Sequence, residues 1–411
     1  MSDAVGRVGD AGVGPTFSFG FNLGKIPDHG EDSDPILRDG PDLGLVGVFD
    51  GMGGAGGTVY ETPDGPRSGA YMASRIARDV VEERMLDLLE PNWNLKGDAA
   101  AEDLRRSVQT ALQEHLAGLK APTSRLRSRL LRALPTTMAV VALQRARRGG
   151  STWACHVFWA GDSRAYALDA TGMHQLTTDD LRESGDAMAN LHQDSPVSNA
   201  MSADTEFTVN YRRVELEAPF LLVCATDGCF GYVPTPMHFE HLLLSTMSTT
   251  RSSDEWSSSL QREIGAVTGD DAAMSVMGVG ADLPAARELL APRLAALQEQ
   301  QIAPFDEIAA SVARAEQELE RLRRRQIDVT ASLWTSYKDD YERLLHASTE
   351  RSTQPDALPE RDDESETPSA EAPSEAPGDS ATTDDDTTAA PDAPTEPVAD
   401  AWTTDDTEAT R

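Results

Sequence analysis

The residues best suited to chemistry are acidic side chains at the ends of apolar segments that are typical of strands. They are Asp50 after residues 45–49, Asp162 after 157–161, Asp227 after 221–226, and the pair Asp270-Asp271 before 272–279. A carboxylate at the exit of a buried strand is partly desolvated, which is costly unless the group is paired or bound to a cation. Several converging carboxylates repel one another, and their oxygens suit hard cations such as Mg²⁺ or Mn²⁺. The sequence therefore predicts a divalent-metal site where these strand ends meet.

Three further residues, Glu31, Asp32 and Gly51, extend this set of candidate ligands. Gly51 follows Asp50, and a residue without a side chain lets the backbone approach an ion and offer its carbonyl oxygen. Glu31-Asp32 lie in the loop after the first predicted strand and supply further carboxylates. Each motif also has a plainer interpretation: an Asp-Gly turn, a cap, or a solvated polar loop. The presence of four such elements in one domain favours the metal site.

The segment 51–56 also fits the G-x-G-x-x-G pattern of dinucleotide-binding proteins. That site requires a helix to begin at once. Here residues 58–66 contain Pro63 and Pro66 and predict a loop, and Asp50 would face the pyrophosphate with the wrong charge. We therefore exclude this interpretation.

The first ~280 residues alternate short apolar runs with amphipathic segments, which predicts one domain containing both strands and helices. Strands are expected at 16–23, 43–49, 136–143, 152–159, 164–168, 207–216, 220–225 and 272–279. Helices are expected at 68–89, 99–120, 237–248 and 254–267. Successive strands joined by short turns favour antiparallel sheets over repeated βαβ units.

Residues 283–347 predict a helical segment. Apolar residues from Ile308 to Leu333 recur at alternating spacings of four and three, with Gln326 as a polar interruption, which is close to a coiled-coil seam. Pro292 and Pro304 are expected to break the earlier part into shorter helices. The segment 305–345 either packs on its own domain or pairs with a second copy or another partner.

The 411 residues contain 69 acidic and 36 basic side chains, for a formal net charge of −33. This balance argues against binding to nucleic acid or to anionic membranes. Residues 348–411 are rich in Pro, Ser, Thr and Asp, which predicts a disordered acidic tail. Residues 1–15 predict a flexible N-terminus without the features of a signal peptide. Cys155, Cys224 and Cys229 form no C-x-x-C pair, so a reduced cytoplasmic protein is expected.

Taken together, six motifs resemble those of the metal-dependent Ser/Thr protein phosphatases of the PPM (type 2C) family, in their bacterial form. The strand followed by Asp50-Gly51 and the segment around Gly161-Asp162-Ser163 carry the likeness most clearly. The motifs occupy residues 48–54, 134–140, 159–166, 176–179, 222–228 and 269–273. The resemblance covers residues 16–282 and implies a four-layer α-β-β-α sandwich of two antiparallel sheets.

The resemblance also implies the roles of the acidic residues. Asp50 would bridge two ions, with the carbonyl of Gly51 as a further ligand. Asp227 and Asp270 would hold one ion, Glu31 with Asp32 behind it the other, and Asp162 a third, weaker one. The implied cofactors are two to three Mg²⁺ or Mn²⁺. The implied activity is hydrolysis of phosphoserine and phosphothreonine in proteins, by a metal-bridged hydroxide attacking in line at phosphorus, in opposition to a Ser/Thr kinase system.

The chain departs from the family pattern near the substrate. The family's phosphate-binding Arg corresponds to Pro27, and Lys25 is the candidate replacement, without the bidentate geometry of a guanidinium. Asp271 stands where Asn is usual, so either acid of the pair could be the ligand. Residues 55–67 displace the helix motif that follows the glycine-rich turn in the family. The sequence of 182–203, where the family has a flap that recognises substrate, does not identify this flap. These departures leave an alternative: a weakly active or inactive phosphatase-like protein that docks phosphoproteins through this domain and its helical arm.

Overall fold

The computed structural model describes residues 14–26, 29–63, 65–89, 95–119, 132–146, 150–183, 185–192 and 195–351. The chain divides into two compact units, 1–327 and 328–411. The predicted N-terminal segment and acidic tail fall mostly outside the described residues, because the description begins at residue 14 and ends at 351.

Among the described residues of the first unit, twelve strands form two five-stranded sheets and one hairpin. In chain order they are β1 (Pro15–Leu23), β2 (Ile36–Gly40), β3 (Leu43–Val48), β4 (Val59–Thr62), β5 (Gly65–Ser68), β6 (Met138–Arg145), β7 (Thr152–Ala160), β8 (Arg164–Asp169), β9 (Gly172–Gln175), β10 (Asn210–Glu217), β11 (Phe220–Ala225) and β12 (Ala272–Val279). The first sheet has the order β1-β12-β11-β8-β9 and the second β10-β7-β6-β3-β2, with every pairing antiparallel. The remaining two strands, β4 and β5, pair only with each other.

The helices of the described residues lie mostly outside the sheets. They are α1 (Gly53–Gly56), α2 (Gly69–Leu89), α3 (Gly97–Gly118), α4 (Ala189–His192), α5 (Asp227–Phe230), α6 (Pro236–Thr249), α7 (Ser253–Val267), α8 (Leu283–Leu297) and α9 (Ala303–Arg351), with a π-helical turn at Gln298–Ile302. Ser252 and Thr235 cap α7 and α6 by accepting backbone N–H groups with their side chains.

The apolar core lies in three layers. Side chains from both sheets, including Val46, Val157, Leu222 and Met277, pack in the space between them. A second cluster joins α2 and α3 to the outer face of the sheet that contains β3, and a third joins α6, α7 and α8 to the outer face of the other sheet. This arrangement is the predicted four-layer α-β-β-α sandwich of antiparallel sheets.

The three cysteines are buried and free, and Cys224 lies in the cluster between the sheets. No helix of the described residues is both long and apolar enough to cross a membrane.

Two differences from the sequence prediction concern segments that contain proline. Residues 58–66 belong mostly to the hairpin β4-β5 and not to a loop. This two-stranded hairpin tolerates Pro66 because each of its strands has an open edge, where no ladder hydrogen bond is required. Pro292 lies inside α8 and does not end it. Pro292 faces solvent, while Leu290 and Leu297 anchor the same helix in the core, so tertiary packing outweighs the lost backbone hydrogen bond.

Candidate metal centre

The acidic residues predicted from strand ends lie at one end of the sandwich. Asp50 follows β3, Asp227 follows β11, and Asp271 immediately precedes β12. Asp162 lies in the turn from β7 to β8, which belong to different sheets, so this turn is a crossover and not a hairpin. Gly161 adopts φ +97° there, a conformation that favours glycine.

An inner group of carboxyl groups centres on Asp32, which is only 1% exposed. Its side chain accepts the Thr226 hydroxyl at 2.8 Å and lies beside that of Asp50, and each of these two carboxyl groups acts on the pKa of the other. Thr226 Oγ1 in turn accepts the backbone N–H of Ala273 at 2.9 Å. Asp32 is therefore fixed from β12 through Thr226 and faces the carboxyl group at the end of β3.

Burial raises the pKa of every carboxyl group in this inner group. The pKa of Asp32 and that of Asp162 rise to about 7, the pKa of Asp227 rises to about 6, and the pKa of Asp50 rises well above its usual value. Neighbouring negative charges add to burial: Asp32 acts on Asp50, and Asp227 acts on Asp162. Such groups favour the neutral form unless a positive charge lies among them.

The chemistry of the donor set fits a hard divalent cation. All the donors are carboxylate or carbonyl oxygens, and Asp162 Oδ1 is buried without a hydrogen-bond partner in the described structure. As the side chains are placed, however, no three acidic, histidine or cysteine groups of the described residues converge to hold an ion.

Glu31 lies at the outer side of the group, beside the glycine-rich turn. The Ser68 hydroxyl, at the end of β5, donates to Glu31 Oε1. Gly51 and Gly53 both allow Glu31 to lie close to the turn. An added Cβ at Gly51 would lie 2.5 Å from the Glu31 carbonyl oxygen, and one at Gly53 would lie 1.9 Å from Glu31 Oε2. The glycines after Asp50 thus leave room for a carboxylate.

The two acids before β12 have different environments. Asp271 accepts the backbone N–H of Lys25 at 2.7 Å and that of Glu31 at 2.6 Å, so its carboxylate ties down the loop between β1 and β2. Asp270 is exposed, and its charge is the main neighbouring influence that raises the pKa of Asp227. The hydrogen bonds therefore assign Asp271 to the loop, whereas Asp270 acts on Asp227 through its charge.

Lys25, the candidate phosphate anchor, has an exposed side chain, and the described contact is made by its backbone. Pro27 lies outside the described residues. A basic residue not predicted from sequence, Arg75 on α2, donates to the carbonyl oxygens of Gly30 at 3.1 Å and Glu31 at 3.3 Å. Its guanidinium also lies 3.5 Å from the centre of the Tyr71 ring. Arg75 follows a helix pattern in the sequence, which gave no signal of this contact.

A cleft of about 360 Å³ opens beside Asp162 and Asp227. Arg164 and Asp179 line it and form a buried ion pair, with two contacts of 2.9 and 2.6 Å. Asn190, from the region predicted as a flap, also donates to Asp179 at 2.9 Å. Tyr232 is 46% exposed at the same cleft. The cleft thus joins the acidic group to an exposed aromatic side chain at the surface.

Comparison with known proteins places this site in context. A model of the protein phosphatase 2C family matches residues 37–265, more than half of the chain. A comparison with curated proteins found no match.

Several solved structures are similar to the chain. The serine/threonine phosphatase PstP/Ppp of Mycobacterium tuberculosis is 17% identical with a TM-score of 0.44, covering 64% of this chain and 99% of that one. The catalytic domain of PstP in complex with 2 manganese ions is 15% identical with a TM-score of 0.42, covering 64% and 98%. Stp1 from Staphylococcus aureus is 15% identical with a TM-score of 0.46, covering 68% and 100%. On the strength of the family match, the chain belongs to the protein phosphatase 2C family.

Proposed function

We propose that the chain is a metal-dependent phosphatase that hydrolyses phosphoserine and phosphothreonine in proteins. The observation that carries this proposal is the inner group of Asp32, Asp50, Asp162 and Asp227, in which burial and neighbouring negative charges raise every pKa. A chain gains nothing in stability from such a group, so a functional role in binding cations is the simplest explanation for it.

We propose two to three Mg²⁺ or Mn²⁺ as the cofactors. Asp50 would bridge two ions, with the carbonyl oxygen of Gly51 alongside, while Asp227 would hold one of them together with Asp270. Asp270 is preferred to Asp271 because the Asp271 carboxylate is already occupied by two backbone N–H groups.

The remaining proposed ligands lie around this pair. Glu31 and Asp32 would hold the second ion. Asp162, whose buried Oδ1 has no hydrogen-bond partner in the described structure, would hold a weaker third ion. When bound, such ions activate a water for in-line attack at phosphorus and offset the charge of the phosphoryl oxygens.

The protein's own contribution is to hold these carboxylates in place. Thr226 orients Asp32 with a hydrogen bond of 2.8 Å, and Ser68 orients Glu31. Ser74 and Arg75 donate to the backbone carbonyl of Glu31 at 2.5 and 3.3 Å, which ties the loop to α2. Rigid placement of this kind is what positions reacting groups for an in-line displacement.

The substrate would be a phosphoprotein that enters through the cleft at Tyr232. Lys25 is the proposed contact to its phosphate, as a flexible point charge rather than a bidentate donor. An opposing Ser/Thr kinase system would supply such substrates. The free, buried cysteines are compatible with a reducing compartment, and we propose the cytoplasm.

The proposal is tested by release of phosphate from a phosphothreonine peptide with Mg²⁺ or Mn²⁺. The comparison is between the wild type and Asp227→Asn, with Asp169→Asn on the β8–β9 turn as a charge-matched control away from the inner group. We expect activity in the wild type and the control and its loss in Asp227→Asn. An inactive wild type with both metals would overturn the enzyme proposal, and activity retained in Asp227→Asn would overturn the site assignment.

The alternative is a phosphatase-like protein that docks phosphoproteins without turnover. One support for it is the exposed Lys25 side chain, which lacks the bidentate hydrogen bonding of a guanidinium to phosphate. The other is that the acidic side chains of the described residues do not converge on one point as placed. The two proposals are separated when binding of the phosphopeptide is measured beside the release of phosphate. Docking without turnover gives saturable binding and no released phosphate.

A further inference from the structure

The helix α9 exposes a row of apolar side chains that the proposed phosphatase activity does not use. Ile308, Val312, Leu319 and Leu322 are each between 47% and 66% exposed, although they recur at the spacing of a coiled-coil seam. Water-exposed apolar side chains in such a row are characteristic of a surface that a second helix covers.

The spacing of this seam reads the same in both directions, as in any regular repeat of four and three, so a reversed copy of the same helix is able to cover it. About a midpoint between Glu320 and Arg321, the sequence spacing is the same in both directions. In an antiparallel pair of identical helices, Leu319 of one copy would therefore meet Leu322 of the other, and Ala315 would meet Gln326. By the same spacing, Val312 and Ile308 would meet Val329 and Leu333. Every apolar position thus finds a partner position on a reversed copy.

The charges beside the seam are also complementary under this reversal. Glu316 and Glu318 flank the seam before the midpoint, and Arg323 and Arg325 flank it after the midpoint. On a reversed copy, Glu316 would lie near Arg323 and Glu318 near Arg325, and the symmetry repeats each pair. Within the single helix Glu318 instead pairs with Arg321 at 2.5 Å. Exposed pairs of this kind are weak, so the side chain is free to exchange partners.

A parallel pair would be electrostatically poorer. It would retain the contact of Glu318 with Arg323, but it would place each copy's arginine-rich tract, residues 321–325, beside the same tract of the other copy. Like charges at this distance repel, and such repulsion selects one orientation over another.

We propose that the chain self-associates through α9 as an antiparallel two-helix coiled coil, centred between Glu320 and Arg321. The partner is a second copy of this chain, and flanking Glu–Arg pairs set the orientation.

The first test is the mass in solution of the full chain as a function of concentration. We expect a two-chain species for the wild type and a loss of affinity of at least about tenfold for Glu316→Arg/Glu318→Arg, because Arg then faces Arg. An equal mixture of this variant with Arg323→Glu/Arg325→Glu should restore the two-chain species. Glu307→Arg/Glu320→Arg makes the same charge change away from the seam and should stay paired. A wild type that remains a single chain, or a Glu316→Arg/Glu318→Arg variant that pairs as well as the wild type, would overturn the proposal.

The second test measures orientation with a spin label at Ala310→Cys, on the outer face of the helix. In the antiparallel pair residue 310 lies opposite residue 331 of the other copy, so two identical labels are separated by about 30 Å along the helix axis and by the width of the two helices, which gives a distance of about 35–40 Å. In a parallel pair the labels lie at the same height and are separated only by the width of the two helices, about 20 Å between their outer faces. The native cysteines are buried and serve as a poor target for the label. A short distance would overturn the antiparallel assignment, and neither test requires phosphatase activity.

Discussion

The carboxyl groups of Asp32 and Asp50 lie beside each other in the interior, and each acts on the pKa of the other. Two carboxyl groups in such contact share a proton when no cation is present, because two adjacent negative charges repel. A divalent cation must therefore displace a proton to bind here. Metal binding, proton release and stability are thereby linked at this pair.

This linkage gives the first prediction. The raised pKa of Asp32, about 7, means that the metal-free fold binds a proton more tightly than the unfolded chain, so this group favours unfolding increasingly as pH rises from about 4 to about 7. Cations bind the deprotonated pair, so Mn²⁺ should raise the Tm far more at about pH 8 than at about pH 5. The measurement is thermal unfolding with Mn²⁺ and with chelator across this range.

Asp32→Asn supplies the comparison for this experiment. It removes one titrating carboxyl group of the pair, so the pH dependence of the Mn²⁺-induced shift should flatten. A shift that is equally large at both ends of the pH range in the wild type would contradict the linkage.

The glycine-rich turn gives a second prediction with a matched control. A Cβ at Gly53 would lie 1.9 Å from Glu31 Oε2, whereas a Cβ at neighbouring Gly54 would meet nothing within 4 Å. Because the clash is with the end of a flexible side chain, Gly53→Ala should displace the Glu31 carboxylate at little cost in stability. We expect weaker Mn²⁺ binding by calorimetry for Gly53→Ala and wild-type binding for Gly54→Ala. Equal affinities for the two variants would indicate that Glu31 takes no part.

The acids before β12 give a third prediction. Asp271→Ala removes the acceptor of two backbone N–H groups and should lower the free energy of unfolding by about 1–3 kcal/mol. Asp270→Ala leaves those bonds intact and should instead weaken metal binding with little change in chelator-treated stability. Chemical denaturation and metal titration of both variants separate the roles, and the reverse pattern would exchange the assignment.

The buried pair of Arg164 and Asp179 gives a fourth prediction. Their side chains are 4% and 2% exposed, so Asp179→Ala leaves a buried guanidinium without its charge partner. Breaking such a pair costs about 3–5 kcal/mol of unfolding free energy. Glu215→Ala breaks an exposed pair with Arg213 and should have little effect. Similar denaturation midpoints for the two variants would show that the buried pair does not stabilise the fold.

Much of the architecture could be predicted because the central strands are nearly continuous apolar runs. β11 and β12, for example, lie at the predicted residues, since both are buried along their full length. β2, β4, β5 and β9 were missed because they are short and partly exposed edge strands whose residues carry no alternating pattern. Local sequence gives little information where pairing, and not composition, creates the strand.

At the site, the acidic residues could be found because strand ends followed by glycine are visible in the sequence. The distinction between Asp270 and Asp271 could not, because it depends on which carboxylate meets the backbone of a loop about 240 residues earlier. Arg75 and Ser68 were missed for the same reason: their contacts with the Glu31 loop exist only after α2 and the β4-β5 hairpin pack against it.

The proposed activity requires the carboxylates around Asp50 to bind the cations that promote phosphate release. The most direct measurement is the rate of phosphate release from a phosphothreonine peptide as a function of Mn²⁺ concentration, for the wild type and Asp50→Asn in parallel. We expect saturable Mn²⁺-dependent turnover in the wild type and a fall of at least about 100-fold in Asp50→Asn, with its fold retained. Turnover in Asp50→Asn with the same rate and the same Mn²⁺ dependence as the wild type would contradict this requirement.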